Sequence, residues 1–299
     1  MRSAAAAWSR FWFEPQPTST LVLVRVAFGV VVLVWSVSLL AVLGDLLSSG
    51  GVVPASPDRA GGTWGVLDIW TSDAAVVGVL VATMAAACAV IAGFMTRIAA
   101  LVVFVGLMSF HARNPFAFNS GDTLLRGTAF FLMLAPSGAA FSVDALRRRG
   151  REAFFEFPAR APWALRLVQV QLSLVYVFSV WAKVRGTTWN DGTALSSALS
   201  LDDLRRFPLP DALVHSAPLI NALTWGTLAV ELSVAVLIWH PVARPYVIVA
   251  GLGLHLGIDY SLRVGVFGLA IAVSYLAFTP PPVASRVLRA AHARAGRRR

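Results

Sequence analysis

Charge is what this chain has least of: only 13% of its 299 residues are Asp, Glu, Lys or Arg. An ordinary soluble domain carries about a quarter, so the polar side chains cannot cover a water-soluble particle of this size. A disordered chain is excluded by the same numbers, because disorder needs low hydrophobicity. Here the hydrophobic fraction is 57% and the mean hydropathy +0.71. Cysteine is nearly absent too. Cys88 stands alone, which excludes an internal disulfide framework and a cysteine-based metal centre. His111, His215, His240 and His292 show no ligand spacing, so no metal is expected. Local catalytic signatures are missing as well: there is no phosphate loop, no serine-nucleophile elbow and no HExxH.

What the chain does have is apolar runs, and runs of about 20 residues cross a hydrocarbon core of roughly 30 Å as helices. Eight apolar runs stand out, at residues 21–44, 74–93, 98–110, 123–136, 163–181, 219–239, 246–258 and 264–278, of which the third, fourth, seventh and eighth are short. The expected fold is therefore an all-α, polytopic transmembrane helix bundle of about eight spans, within a range of seven to nine. The first run exceeds the apolar core of a cleaved signal peptide, so it is expected to stay as an anchor.

A formal net charge of +10 would point a soluble domain towards nucleic acid. The placement of the arginines gives a plainer reading. They crowd into Arg147, Arg148, Arg149, Arg151 and Arg160, and into a tail running from Arg286 to Arg299. With eight spans and the amino terminus inside, 15 arginines fall in inner segments and six in outer ones. That is the positive-inside bias, and it sets both termini in the cytoplasm of a cell (plasma) membrane protein, with the lipid bilayer and not nucleic acid as partner. Residues 1–283 read as the transmembrane domain and 284–299 as a basic cytoplasmic tail. The stretch 141–157 mixes Phe154, Phe155 and Phe157 with arginines, which suits either a helix in the inner interface or a solvated basic loop.

Polar groups inside spans are costly, and they tend to face the bundle interior and mark function. Gln169, Tyr176 and Lys183 recur every seven residues, which places them along one helix face. Lys183 is the single lysine among 25 cationic residues. Unlike arginine, a desolvated lysine can lose its proton, as a general base must; the other reading is an anchor that snorkels at the end of the span. Glu231 lies mid-span and must be neutral, face water, or pair with a cation on a neighbouring helix. His255 and Asp259 are four apart and can share a face, where the carboxylate would fix the imidazole's tautomer or the histidine would simply be a hydrogen-bonded core residue. Asn119 and Asp122 precede a span, with Arg126 four residues after Asp122; they read as a helix cap or as polar groups presented at the outer mouth. Trp189 and Asp191 would lie on that outer side as well.

The order of these pieces resembles the HTTM domain, the membrane domain shared by vitamin K-dependent gamma-carboxylases and many bacterial proteins. The likeness runs through Phe13-Glu14-Pro15, Arg25, the segment from Asn119 to Arg126, Ala182-Lys183-Val184, the segment from Trp189 to Ala194, Glu231, and His255 ahead of Gly265-Val266-Phe267. The resemblance implies a membrane enzyme in which Lys183 deprotonates a reduced quinone, with His255 as the second catalytic residue. In the carboxylases the quinol becomes an epoxide, and the strong base so formed removes a glutamate proton before carbon dioxide adds. It further implies substrate or cofactor binding by Asn119, Asp122, Arg126 and Tyr176, and by Trp189, Asp191, Glu231 and Asp259. Few residues follow the last span, so a large luminal domain of the carboxylase kind is not expected. The function so implied is quinol-linked base chemistry, of a carboxylase, epoxidase, lyase or oxidoreductase kind, on an exported peptide or small substrate near the outer leaflet. The alternative is a non-enzymatic membrane partner or maturation factor for an exported peptide, in which the buried polar groups only hold helices together. A transporter is less favoured, because no inverted halves with paired broken helices are evident.

Overall fold

The computed structural model describes residues 2–52, 64–208, 210 and 216–296; His215 and Arg297 to Arg299 lie outside the described residues. Among the described residues there are fourteen α-helices and a single pair of two-residue strands, Gln16–Pro17 with Ala159–Arg160. Each of the eight apolar runs coincides with a helix. Five of those helices are long and apolar enough to cross a membrane, or six if Phe267–Leu276 and Pro281–Ala293 form one broken span. The chain is a polytopic all-α membrane protein. Helices are the expected answer for such segments, because in lipid every backbone N–H and C=O must find a partner within the protein. Apolar side chains also remain on the outside, among them Val34, Val81, Phe178, Val236 and Leu256, each at least 44% exposed.

The chain divides into two compact units. Met1–Gln169 and Leu276–Arg299 make the first, and Val170–Tyr275 the second. In the first, the helices Ser19–Leu40, Asp73–Ala92, Thr96–Arg113 and Ser120–Leu134 pack on one another around Phe28, Val32, Leu80, Phe110 and Leu125. Ser72 caps the second of these helices by accepting from Ala75 N at 3.2 Å. Gly93 ends it with φ 68°, in the left-handed region where a side chain is disfavoured. A Cβ on Gly93 would also collide with Ser142 and lie 2.8 Å from Arg25 Nη1, so this tight turn admits only glycine.

Arg25 is the most unusual residue of this unit. It is fully buried in the Ser19–Leu40 helix and donates to the carbonyls of Ser137 at 2.8 Å, Ala140 at 3.3 Å and Phe141 at 2.5 Å. Phe141 sits at φ 45°, which a bulky side chain avoids. Its carbonyl bond to Arg25 and its own N–H bond to Phe154 O, at 2.7 Å, hold that strained backbone in place.

The stretch 141–157 is neither one interfacial helix nor an open loop. It breaks at Gly150 into the helix Val143–Arg149 and a 3-10 turn, Glu152–Phe155. The rings of Phe141, Phe154 and Phe155 gather against His292. The basic tail belongs to the helix Pro281–Gly296, which packs on Ser19–Leu40 and buries Ala284 and Leu288. It is therefore part of the packed unit as far as His292.

The second unit holds the end of the Trp163–Lys183 helix, the helices Ala217–Leu237 and Arg244–Ser261, and most of Phe267–Leu276. The connection after Lys183 folds into two short helices, Thr187–Asn190 and Ala194–Leu199, and a 3-10 turn, Asp202–Leu204. Leu204–Arg206 then pairs with Ser261–Arg263: Arg206 N donates to Ser261 O at 3.1 Å and Arg263 N to Leu204 O at 2.8 Å. This clasp ties the connection to the end of the helix that carries His255.

Candidate functional site

The heptad face of Trp163–Lys183 turns inward as its spacing predicts. Gln169, in the first unit, donates to Ala277 O at 2.7 Å. Tyr176 and Lys183, in the second, meet the polar residues of the neighbouring helices. Lys183 Nζ donates to Glu231 Oε1 in a direct ion pair. The two side chains differ in shelter: 22% of Lys183 is exposed and only 6% of Glu231. Of the three options open to Glu231, the cation on a neighbouring helix is the one realised. Trp189, from the short helix beyond Lys183, places its ring 4.9 Å from the amine, a cation–π distance that adds to the pair's confinement.

One helical turn or two deeper, a second cluster forms. Tyr176 OH lies 2.7 Å from His255 Nε2 and 2.5 Å from Tyr275 OH, so three buried groups from three helices make one hydrogen-bonded chain. Gly251, one turn before His255, faces Tyr275 OH so closely that a Cβ would collide with it. The missing side chain is what lets Tyr275 reach Tyr176.

The expected pairing of His255 with Asp259 does not form. Nε2 is taken by Tyr176, and Nδ1 has no partner among the described residues. Asp259 lies instead against Gly268, with one oxygen unbonded. Sharing a helix face brought the two residues near one another but did not aim them at each other. Glu231 Oε2 is likewise buried without a hydrogen-bond partner. Two polar atoms, one on each cluster, are thus sheltered and unengaged.

The other candidates separate by unit. Asp191 is exposed at the turn that follows Thr187–Asn190. Asn119, Asp122 and Arg126 belong to the first unit. Asn119 Oδ1 accepts from Gly121 N at 2.8 Å, and Asp122 Oδ2 accepts from Asn119 N at 2.7 Å, a capping box at the start of Ser120–Leu134. The other oxygen of Asp122 accepts from Trp35 Nε1 at 2.6 Å. Both oxygens are engaged in holding a helix start, which is the capped-turn reading. Arg126 is half-buried on the same helix.

Two residues escaped the sequence reading. Tyr275 completes the hydrogen-bonded chain; as one of only four tyrosines, inside an apolar run, it carried a signal that was available. Arg25 entered only as one piece of the family likeness, and its carbonyl partners lie more than a hundred residues away. Among the described residues, no three His, Cys, Asp or Glu side chains gather to hold a metal ion.

A family model described as the HTTM domain matches residues 13–282, nearly the whole chain. No curated protein and no solved structure matches it. All residues of the two clusters lie inside the matched range.

Proposed function

The chain belongs to the HTTM-domain family, and from that premise we propose that it is a multi-pass enzyme of the cell membrane whose second unit performs quinol-linked base chemistry on an exported peptide or small substrate. The observation that carries this reading is the lone lysine, turned inward and bonded to a carboxylate on another helix. A lysine that only anchored its span would place its amine in the interface, away from buried acids.

The proton shared between Lys183 Nζ and Glu231 Oε1 can pass to the carboxylate, which leaves a neutral amine beside a neutral acid. In this reading that amine is the base: it takes a hydroxyl proton from the quinol, Glu231 keeps the proton the lysine gave up, and the quinol anion balances the new ammonium charge. The chain from His255 through Tyr176 to Tyr275 orients the neighbouring donors and acceptors, with the Tyr176 hydroxyl, bonded on both sides, as its middle link. The unengaged Glu231 Oε2 and His255 Nδ1 suit the hydroxyls of a reduced quinone, and Trp189 offers an aromatic face beside Lys183. Exposed Val177, Phe178, Trp181 and Val184 leave an apolar approach from lipid alongside the site. A reduced quinone, when bound, would supply two electrons and an acidic hydroxyl proton.

The test is epoxide formation from reduced vitamin K and dioxygen by the purified chain in lipid nanodiscs, with Lys183→Ala alongside. The reading expects turnover by the wild type and its loss in the variant. Equal turnover by both would remove Lys183 from the mechanism. The ion pair itself favours a second reading, in which Lys183 and Glu231 join helices in a non-enzymatic partner of an exported peptide. In that case neither protein turns over quinol, while the variant still loses stability.

A further inference from the structure

A different part of the molecule, within the first unit, carries a site that the proposed chemistry does not use. A cavity of about 910 Å³ opens where the Thr96–Arg113 helix begins and the Ser120–Leu134 helix ends. Its walls include Arg97, Arg147, Arg148, Arg149 and Arg160, and one acid, Asp144. Asp144 is already committed: Oδ1 accepts from Met95 N at 2.9 Å, and Oδ2 from Thr96 N at 3.0 Å and Thr96 Oγ1 at 2.8 Å. The arginines, by contrast, are held mostly by neutral groups. Arg148 Nε donates to Asp144 O at 3.0 Å, Arg149 to Ala139 O, Arg160 Nη1 to Ala159 O at 3.4 Å, and Arg147 stacks over Phe94. Arg149 also has a loose contact with exposed Glu156 at 3.9 Å. Carbonyls and rings orient a guanidinium but leave its charge in place.

The cradle is also stiffened from behind. Arg25 grips the carbonyls of Ser137 and Ala140, on either side of the lining residues Gly138 and Ala139. Met95, on the wall, sits at φ 43° and is fixed there by Asp144. Strained residues kept in place by buried polar groups gather at binding sites. Below the arginines the surface turns apolar. Ile98, on the wall, is 54% exposed, and Leu101, one turn along the same helix, is 43% exposed.

We propose that this cavity binds the phosphodiester headgroup of an anionic phospholipid, with the acyl chains lying along Ile98 and Leu101. Arg forks match phosphodiester oxygens in pairs, and the net positive charge of five arginines around one committed acid favours an anionic headgroup over a zwitterionic one, whose ammonium it repels. The apolar face beneath them selects a lipid over free phosphate. This is also the end of the bundle that the arginine bias turns towards the cytoplasm, where anionic headgroups bind basic pockets between helices.

Native mass spectrometry of the purified chain in detergent tests this, with added phosphatidylglycerol, phosphatidylcholine or inorganic phosphate. Phosphatidylglycerol adducts should persist, phosphatidylcholine adducts should not, and millimolar phosphate should fail to displace the lipid. Arg97→Gln and Arg148→Gln should each weaken phosphatidylglycerol binding about fivefold, as expected for one arginine near an anionic surface. Both residues are exposed, and Arg97→Gln touches no bond that holds the fold, so the unfolding temperature should be unchanged. Ile98→Asn should weaken lipid binding without creating affinity for phosphate. Equal binding of the two lipids, wild-type affinity in the folded Arg97→Gln protein, or displacement by phosphate alone would each overturn the proposal.

Discussion

The two units solve the same problem, polar groups in a lipid-soluble chain, in opposite ways. In the first, long polar side chains reach for backbone carbonyls. Arg25 takes those of Ser137, Ala140 and Phe141, Arg113 takes those of Leu47 and Thr71, and Asn114 Nδ2 takes that of Leu46. In the second, titratable side chains reach for each other: Lys183 for Glu231, and Tyr176 for both His255 and Tyr275. A carbonyl cannot accept a proton at any ordinary pH, so an arginine bonded to carbonyls is a fixed pin. A lysine bonded to a carboxylate, or a tyrosine bonded to an imidazole, can redistribute protons. The difference separates fixed pins from pairs that can move a proton.

The comparison breaks most easily at Arg25. Arg25→Leu leaves three buried carbonyls without their donor, which should cost about 3 kcal/mol or more and remove monodisperse protein from gel filtration in detergent. Arg25→Lys should recover part of that loss, because an ammonium still donates but cannot span all three acceptors. If Arg25→Leu folds and melts like the wild type, the pin is not what holds the 137–141 turn.

The Lys183–Glu231 pair should behave asymmetrically. Lys183→Met strands a carboxylate that is only 6% exposed, while Glu231→Leu strands an amine that is 22% exposed and can still reach water. The first should lower stability by about 2 kcal/mol and the second by about 1, with the double variant close to the wild type. Thermal unfolding of the four proteins checks this. Additive losses in the double variant would mean that the two groups are not coupled.

Asp144 sharpens the comparison from the acid side. Burial pushes its carboxyl up, but the bonds from Thr96 N, Thr96 Oγ1 and Met95 N, with the charge of Arg148, together hold it below its ordinary value. A depressed carboxyl stabilises the fold at any pH above its unfolded value, about 4, and the benefit drains away as pH falls through the folded value. Asp144→Asn should cost about 1 kcal/mol at neutral pH, as the loss of a helix-start acceptor does. The gap between the two proteins should close on acidification. A gap that persists or widens at low pH would assign the effect to packing.

Much of the fold was legible because lipid enforces it: a long apolar run has hardly another structure available, and each of the eight runs coincides with a helix. The inward turn of Gln169, Tyr176 and Lys183 was legible from their spacing, and the cap at Asn119 and Asp122 from local chemistry. Periodicity gives a face, however, and not the neighbour across it. Lys183 and Glu231 are 48 residues apart, and the tyrosine chain joins Tyr176 to Tyr275 over 99. The same limit explains His255, whose in-helix neighbour Asp259 was visible in the spacing while its actual partner on another helix was not. The grip of Arg25 on a turn 112 to 116 residues away was hidden for the same reason.

The central claim is that the second unit's lysine acts through its proton and not through its charge. Its most direct test is quinol turnover by Lys183→Arg in nanodiscs, measured beside its unfolding temperature. Arginine keeps the cation against Glu231 but cannot surrender its proton, so the account predicts a stable protein with no turnover. A variant that turns over quinol as fast as the wild type would contradict it.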